Sequence, residues 1–289
     1  MKNIILGVVL CLFLATFCFS MGFSLKLTGG AAYITSGDYN DGIDGMNSLY
    51  AADYSSVSGT FSKLQFGMNF GAEFILDINQ NWGIGLGVGY MQFSHDTETV
   101  KGNYTFIGMP LVDTYTLKPS VTSIPITLNV HYFLPMGPVK LNLFAGVGYY
   151  VSKMKVDFGY DTVSVGLPLT QLNSFSSNSM SGQFGFQGGL GLEFPLGGNF
   201  SFVVGITGRS VSLTDIKGDY TTTGLFLGVP YSASGSDQYF SFVERGNSYE
   251  SQFKYLVWMT DTTTSLIPPT HAKFDLTGVS AQAGFKVGF

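Results

Sequence analysis

The sequence predicts an all-β fold: an eight-stranded antiparallel up-and-down transmembrane β-barrel with long extracellular loops. Three observations predict it. Apolar residues alternate with small or polar ones at the strand period through most of the chain. The connections between the alternating segments are short and long by turns. Charged residues make up 11%, against about 25% in ordinary soluble proteins, while glycine supplies 38 of 289 residues and aromatics 15%. A hydrophobic share of 45% excludes a disordered chain. A net charge of −5 leaves no basic footprint for a nucleic-acid partner.

The chain opens with Met1-Lys2-Asn3 and an apolar run from Ile4 to Phe19, followed by Ser20-Met21-Gly22. This is the layout of a secretory signal peptide, assigned to residues 1–22, with cleavage after Ser20 as the other small-residue option. The run is shorter than the roughly 20 residues of a spanning helix. Both cysteines, Cys11 and Cys18, lie within it, so the expected mature chain, 23–289, is one barrel domain without disulfides.

Eight alternating runs follow: 23–34, 63–76, 82–93, 121–135, 139–152, 181–195, 200–211 and 273–289. One parity carries no charge; examples are Leu64-Phe66-Met68-Phe70, Ile124-Ile126-Leu128-Val130 and Phe184-Phe186. The other holds glycine, small polar residues and a few charges, as in Gly83-Gly85-Gly87-Gly89 and Asn129-His131. A soluble sheet would face water with Lys, Glu and Thr, because glycine weakens strands. A membrane barrel inverts the faces, and its narrow lumen suits glycine. The runs also reach the 9–11 residues that cross a bilayer at a tilt.

Three connections are short, at 77–81, 135–138 and 196–199, and four are long, at about 35–62, 94–120, 153–180 and 212–272. Bacterial barrels keep short turns periplasmic and long loops outside. This alternation requires eight strands, both termini in the periplasm and residence in the outer membrane. Ten strands, adding Leu225 to Val229 and Tyr255 to Met259, would need a long periplasmic connection, so these patches are expected as a hairpin above the membrane. Phe23, Phe74, Trp82, Tyr132, Phe194, Phe200 and Phe289 fall at the periplasmic ends; Tyr33, Tyr90 and Tyr149 fall towards the outer ends. These are the positions of interfacial girdles.

On Ile124 to Phe133 with Val139 to Tyr150, on Phe23 to Tyr33 and on Asp275 to Phe289, the chain resembles the small bacterial outer-membrane β-barrel proteins, the OmpA/OmpX/OmpW-like porin superfamily. In that group a terminal aromatic strand implies recognition by the barrel-insertion machinery, which would make Phe289 the insertion signal.

An eight-stranded barrel is just wide enough for side chains to fill, and charges inside it must be paired. Strand heights predict a periplasmic-side plug of Lys26–Glu73–Lys286 and Lys140–Glu193, with His131 deeper among Asn129, Asn69 and Asn142, and Arg209 near the outer rim. The stretch Gly83 to Gly89 is not a phosphate loop, because its glycines recur inside a strand. His95, His131 and His271 are too dispersed for a metal site. His95 with Asp96, or His271, would be the candidates for catalysis, and no hydrolase motif accompanies them. The expectation is a non-enzymatic barrel, without cofactor, whose partners are outer-membrane lipids and an unidentified extracellular ligand held by Tyr-, Ser- and Gly-rich loops. Its role would be envelope integrity, adhesion or recognition. The alternative is a narrow channel for small hydrophobic molecules, which requires an apolar cavity between loops and upper lumen.

Overall fold

A computed structural model describes the backbone of residues 22–164, 167–226, 229–247, 250–259 and 270–289, and the side chains of 22–163, 173–225, 229–236 and 271–289. The expected signal segment lies outside the described residues apart from Gly22. The elements run β1 (Gly22–Ile34), α1 (Asp38–Asp53), β2 (Ser56–Ser58), β3 (Phe66–Asp77), β4 (Trp82–Ser94), β5 (Glu98–Phe106), β6 (Met109–Met136), β7 (Val139–Ser164), β8 (Leu167–Gly197) and β9 (Phe200–Ser210). After them come β10 (Ser212–Leu213), β11 (Lys217–Phe226), β12 (Val229–Asn247), β13 (Glu250–Met259), β14 (Thr270–His271), β15 (Phe274–Asp275) and β16 (Gly278–Gly288).

Strands β1, β3, β4, β6, β7, β8, β9 and β16 pair antiparallel in that order, and β16 returns to β1, which closes the ring. These are the eight strands expected from the alternation. Closure satisfies the backbone hydrogen bonds that an open edge would leave bare in lipid. The turn between β6 and β7 is tight because Gly137 adopts φ 68°, a conformation that costs an L side chain energy. Leu225 and Val229 lie at the tip of the β11–β12 hairpin, while Tyr255 to Met259 pairs with Tyr239 to Val243 of β12. The two patches therefore belong to successive hairpins rather than pairing with each other. Neither joins the ring, because β11 pairs with the far half of β8.

Across the membrane-spanning part, the apolar parity faces outward. Ile126, Leu128 and Val130 of β6 are about half exposed, while Thr127, Asn129 and His131, which alternate with them, are buried. Beyond the belt the faces exchange polarity without a slip in register. On β6, Val121 and Leu117 turn inward and are buried, while Lys118 faces out. On β7, Met154 and Val156 point inward, and Lys153 and Lys155 point outward. The same strand thus solves the lipid problem in one half and the water problem in the other.

This exchange explains the main departure from the sequence expectation. Stretches 94–120 and 153–180 were expected as loops, but β6, β7 and β8 run for 28, 26 and 31 residues. A single apolar parity ends at the lipid boundary, so following it truncates the strands. Beyond the ring these three continue as a sheet in the order β2, β5, β6, β7, β8, β11, β12, β13.

The first long connection holds a helix, where only loop was expected. Tyr39, Ile43, Met46 and Tyr50 recur at helical spacing and pack on a hydrophobic core with Ile34, Phe61, Phe93, Tyr150, Val211 and Phe274. The helix is tied down at Asn40, which donates to the Thr35 carbonyl (2.7 Å) and accepts from the Leu64 amide (3.0 Å). Asn47 makes the same two-way bond with Phe61. A helix of this length is marginal alone; burial of its apolar stripe holds it. The core fills the long-loop mouth of the barrel.

Candidate functional site

The lumen below this core is polar, and the glycine face makes room for it. A Cβ on Gly85 would stand 2.5 Å from Glu73 Oε1 and 2.7 Å from His131 Nε2. One on Gly146 would collide with Asn129 Oδ1. Glycine on one strand therefore admits the long side chains of its neighbours.

Glu73 is the hub. It pairs with Lys26, which lies directly opposite in the β1–β3 register. Its Oε1 accepts from Asn129 Nδ2 at 2.6 Å and from His131 Nε2 at 2.9 Å. His131 Nδ1 lies 3.1 Å from Asn142 Oδ1, and its ring stacks on Phe133 and Phe144 with centroids 5.8 and 5.6 Å away. Asn129 Oδ1 accepts from Gln187 Nε2 at 2.9 Å, and Gln187 Oε1 accepts from Tyr150 at 3.2 Å. The network crosses the lumen from β1 to β8.

Lys286 is placed differently from the expected plug. It bonds Glu193 rather than Glu73, at 3.2 and 3.3 Å to the two carboxylate oxygens, and lies 4.4 Å over the Phe133 ring. Lys26 and Lys286 are direct cross-strand partners, and two adjacent ammonium groups repel, so each takes its own carboxylate. Lys140 also lies opposite Glu193 in the register, but it is exposed near the start of β7 and makes no ion pair among the described residues. Removing one member of a buried pair costs about 3–5 kcal/mol, because the other charge is stranded. Arg209 is buried with Nη1 on the Met91 sulfur. It borders a cavity of about 90 Å³ that also touches Lys26, Glu73, Asn129 and Gln187.

The aromatic positions form bands at both ends. Phe23 stacks on Phe74 and Phe289, with centroids 5.5 and 5.1 Å away, and the Phe289 amide donates to the Phe23 carbonyl at 2.8 Å. Trp82 meets Tyr132 at 4.9 Å. At the other end, Tyr33 meets Phe66 at 5.2 Å and Tyr149 meets Phe184 at 4.9 Å.

The sequence matches the outer membrane protein beta-barrel domain over residues 11–232. The chain belongs to this outer-membrane β-barrel family. Its place is the bacterial outer membrane. Among solved structures, a major outer membrane protein from Thermus thermophilus is 14% identical over 93% of this chain and all of that one, with a TM-score of 0.38. OprG from Pseudomonas aeruginosa is 15% identical over 93% of this chain and 96% of its own, with a TM-score of 0.35. Comparison with curated protein sequences finds no match.

In this outer-membrane barrel the histidines considered for catalysis stand apart. His95 Nε2 lies 2.8 Å from the Lys63 carbonyl, and His271 Nδ1 lies 3.3 Å from Asp215 Oδ1. Sequence reasoning missed a second polar cluster in the extension. Asp113 is buried there, accepting from Tyr54 at 2.6 Å and from Thr162 at 2.7 Å. Tyr54 also bonds Tyr115, which stacks between Tyr50 and Tyr160 with centroids 4.4 and 5.0 Å away. Burial pushes the phenols of Tyr50, Tyr54 and Tyr115 above their ordinary range. The available signal was the odd parity Leu111-Asp113-Tyr115-Leu117, an inward face that continues the barrel strand.

Proposed function

We propose that this protein is a closed, non-enzymatic outer-membrane barrel that carries its extended sheet outward as a platform for envelope integrity, adhesion or recognition. Both termini and the short turns then face the periplasm, following the usual disposition of bacterial barrels. The observation that carries this reading is the hydrophobic core seated in the long-loop mouth. Below it the lumen is spanned by the Glu73 network and the Lys286–Glu193 pair. A channel for hydrophobic molecules would need an apolar cavity in that mouth. One cavity in that mouth, lined by Val121, Met154, Leu213, Ile216 and Phe274 with Ser152 and Ser181, measures about 10 Å³, room for about one water and not for a hydrophobic solute.

Planar-bilayer recording tests the closed lumen. The wild type should show no large steady conductance, and Glu73→Gln should raise the frequency of brief openings. A large steady wild-type conductance would refute the proposal. Deletion of the gene, scored for envelope permeability and for adhesion, then separates the possible roles of the platform.

A further inference from the structure

Just beyond the lipid belt, one side of the barrel turns basic. On β7 the outward residues Tyr149 and Val151 are followed by Lys153 and Lys155, and on β6 Ile124 is followed by Thr122, Ser120 and Lys118. The register places Lys153 between Thr122 and Met180, Lys155 between Ser120 and Asn178, and Asp157 between Lys118 and Ser176. All three lysines are exposed. Lys155 bonds Asp157 at 2.9 Å. No carboxylate lies within ion-pair distance of Lys118 or Lys153 among the described residues. Before β3 the exposed Lys63 is paired with Asp44; for β1, β4, β9 and β16 the first polar outward positions past the apolar run are Thr35, Gln92, Ser210 and Thr277. None of the latter is cationic.

The height of this patch matches one chemical layer of a bilayer. A hydrocarbon core of about 30 Å within a total of about 40–45 Å leaves a headgroup layer of roughly 5–7 Å on each side. Two residues of strand rise about 6.6 Å, which is roughly 5 Å of height at the tilt of such barrels. Lys153 therefore stands at headgroup level. Lys155 stands one step above it, where its long flexible stem can bend back towards the interface, and Lys118, a further step up, adds attraction at a range within the Debye length.

We propose that Lys153, Lys155 and Lys118 form a docking surface for the phosphate of a membrane-lipid headgroup, in the leaflet at the long-loop end. Complementary charge and continuity with the lipid belt argue for a lipid rather than a soluble ligand. Ser120, Thr122 and Asn178 offer neutral hydrogen bonds beside the ammonium groups. The proposal rests on placement in a bilayer and not on the closed lumen, so conductance leaves it untouched.

Spin-labelled lipids in vesicles containing the refolded full-length mature chain test it. At low salt the wild type should prefer phosphatidic acid over phosphatidylcholine by about fivefold to thirtyfold, since a basic side chain near an anionic surface contributes about 1 kcal/mol. The triple variant Lys118→Gln/Lys153→Gln/Lys155→Gln should bring the ratio close to one, and added salt should weaken it in the wild type. Lys63→Gln, at an ion pair with Asp44 elsewhere in the extension, should keep the wild-type ratio. A wild-type ratio near one, or a triple variant that keeps the preference, overturns the proposal. Inorganic phosphate that abolishes the preference more strongly than chloride at equal ionic strength would reassign the lysines to free phosphate and overturn the lipid assignment. Heat-modifiable gel migration reports insertion of each variant. If the triple variant does not insert, Lys153→Gln alone should lower the ratio severalfold, and an unchanged ratio there counts against the proposal.

Discussion

The exchange of faces along β6 predicts a depth profile for a single substitution. Outward positions Leu128, Ile126, Thr122 and Thr116 share one parity, so an arginine at each probes the same face at increasing height. From Tyr132 in the periplasmic girdle to Thr122 at the opposite headgroup level the strand climbs about 33 Å at the usual rise per residue, or roughly 25 Å of height at the usual tilt. Leu128 and Ile126 then straddle the midplane. Leu128→Arg and Ile126→Arg should each cost about 2–4 kcal/mol, and Thr122→Arg about 0–1 kcal/mol. Thr116 lies on the order of 15 Å above Thr122 by the same reckoning, so Thr116→Arg, in water, should fall within about 0.5 kcal/mol of wild type. Reversible urea unfolding from phosphatidylcholine vesicles, followed by tryptophan fluorescence, reads all four. A flat profile would refute the exchange, and so would a loss at Thr116 equal to that at Ile126.

Two further outcomes follow from the buried polar clusters. Glu73→Gln should destabilise by about 3–5 kcal/mol by stranding Lys26, and adding Lys26→Met should return most of that loss, because glutamine still serves Asn129 and His131; a double variant no more stable than the single removes the ion-pair explanation. Burial, and then bonds to Asp113 and Tyr115, raise the Tyr54 phenol above its ordinary 10.0. The native state holds this proton more tightly than the unfolded chain, so its contribution is complete below pH 10 and falls as pH rises beyond that value. Tyr54→Phe should flatten the alkaline decline in unfolding free energy, and equal slopes for the two proteins would show that Tyr54 does not drive it.

The lumen was only partly legible in the sequence. Lys26 and Glu73 could be matched because they lie on adjacent strands, and cross-strand neighbours follow from strand order and height. The Lys286–Glu193 pair reaches over β9, a chord across the barrel interior, and no count along the strands distinguishes it from the adjacent Lys140. The helical stripe Tyr39-Ile43-Met46-Tyr50 was present in the sequence. It was obscured by the glycine, aspartate and serine around it, and it forms a helix only against a core assembled from distant strands.

The chain by itself determined the period of two, the eight crossings, the short turns and the face that meets lipid, because each is a local property of consecutive side chains. The tertiary structure alone decided where the strands end, which cation answers Glu193 and what closes the mouth. Those outcomes depend on which residues meet across the interior once the ring has closed. The same inward parity is polar over a narrow lumen and apolar above it, where α1 and the returning segment β15 bring a core to bury.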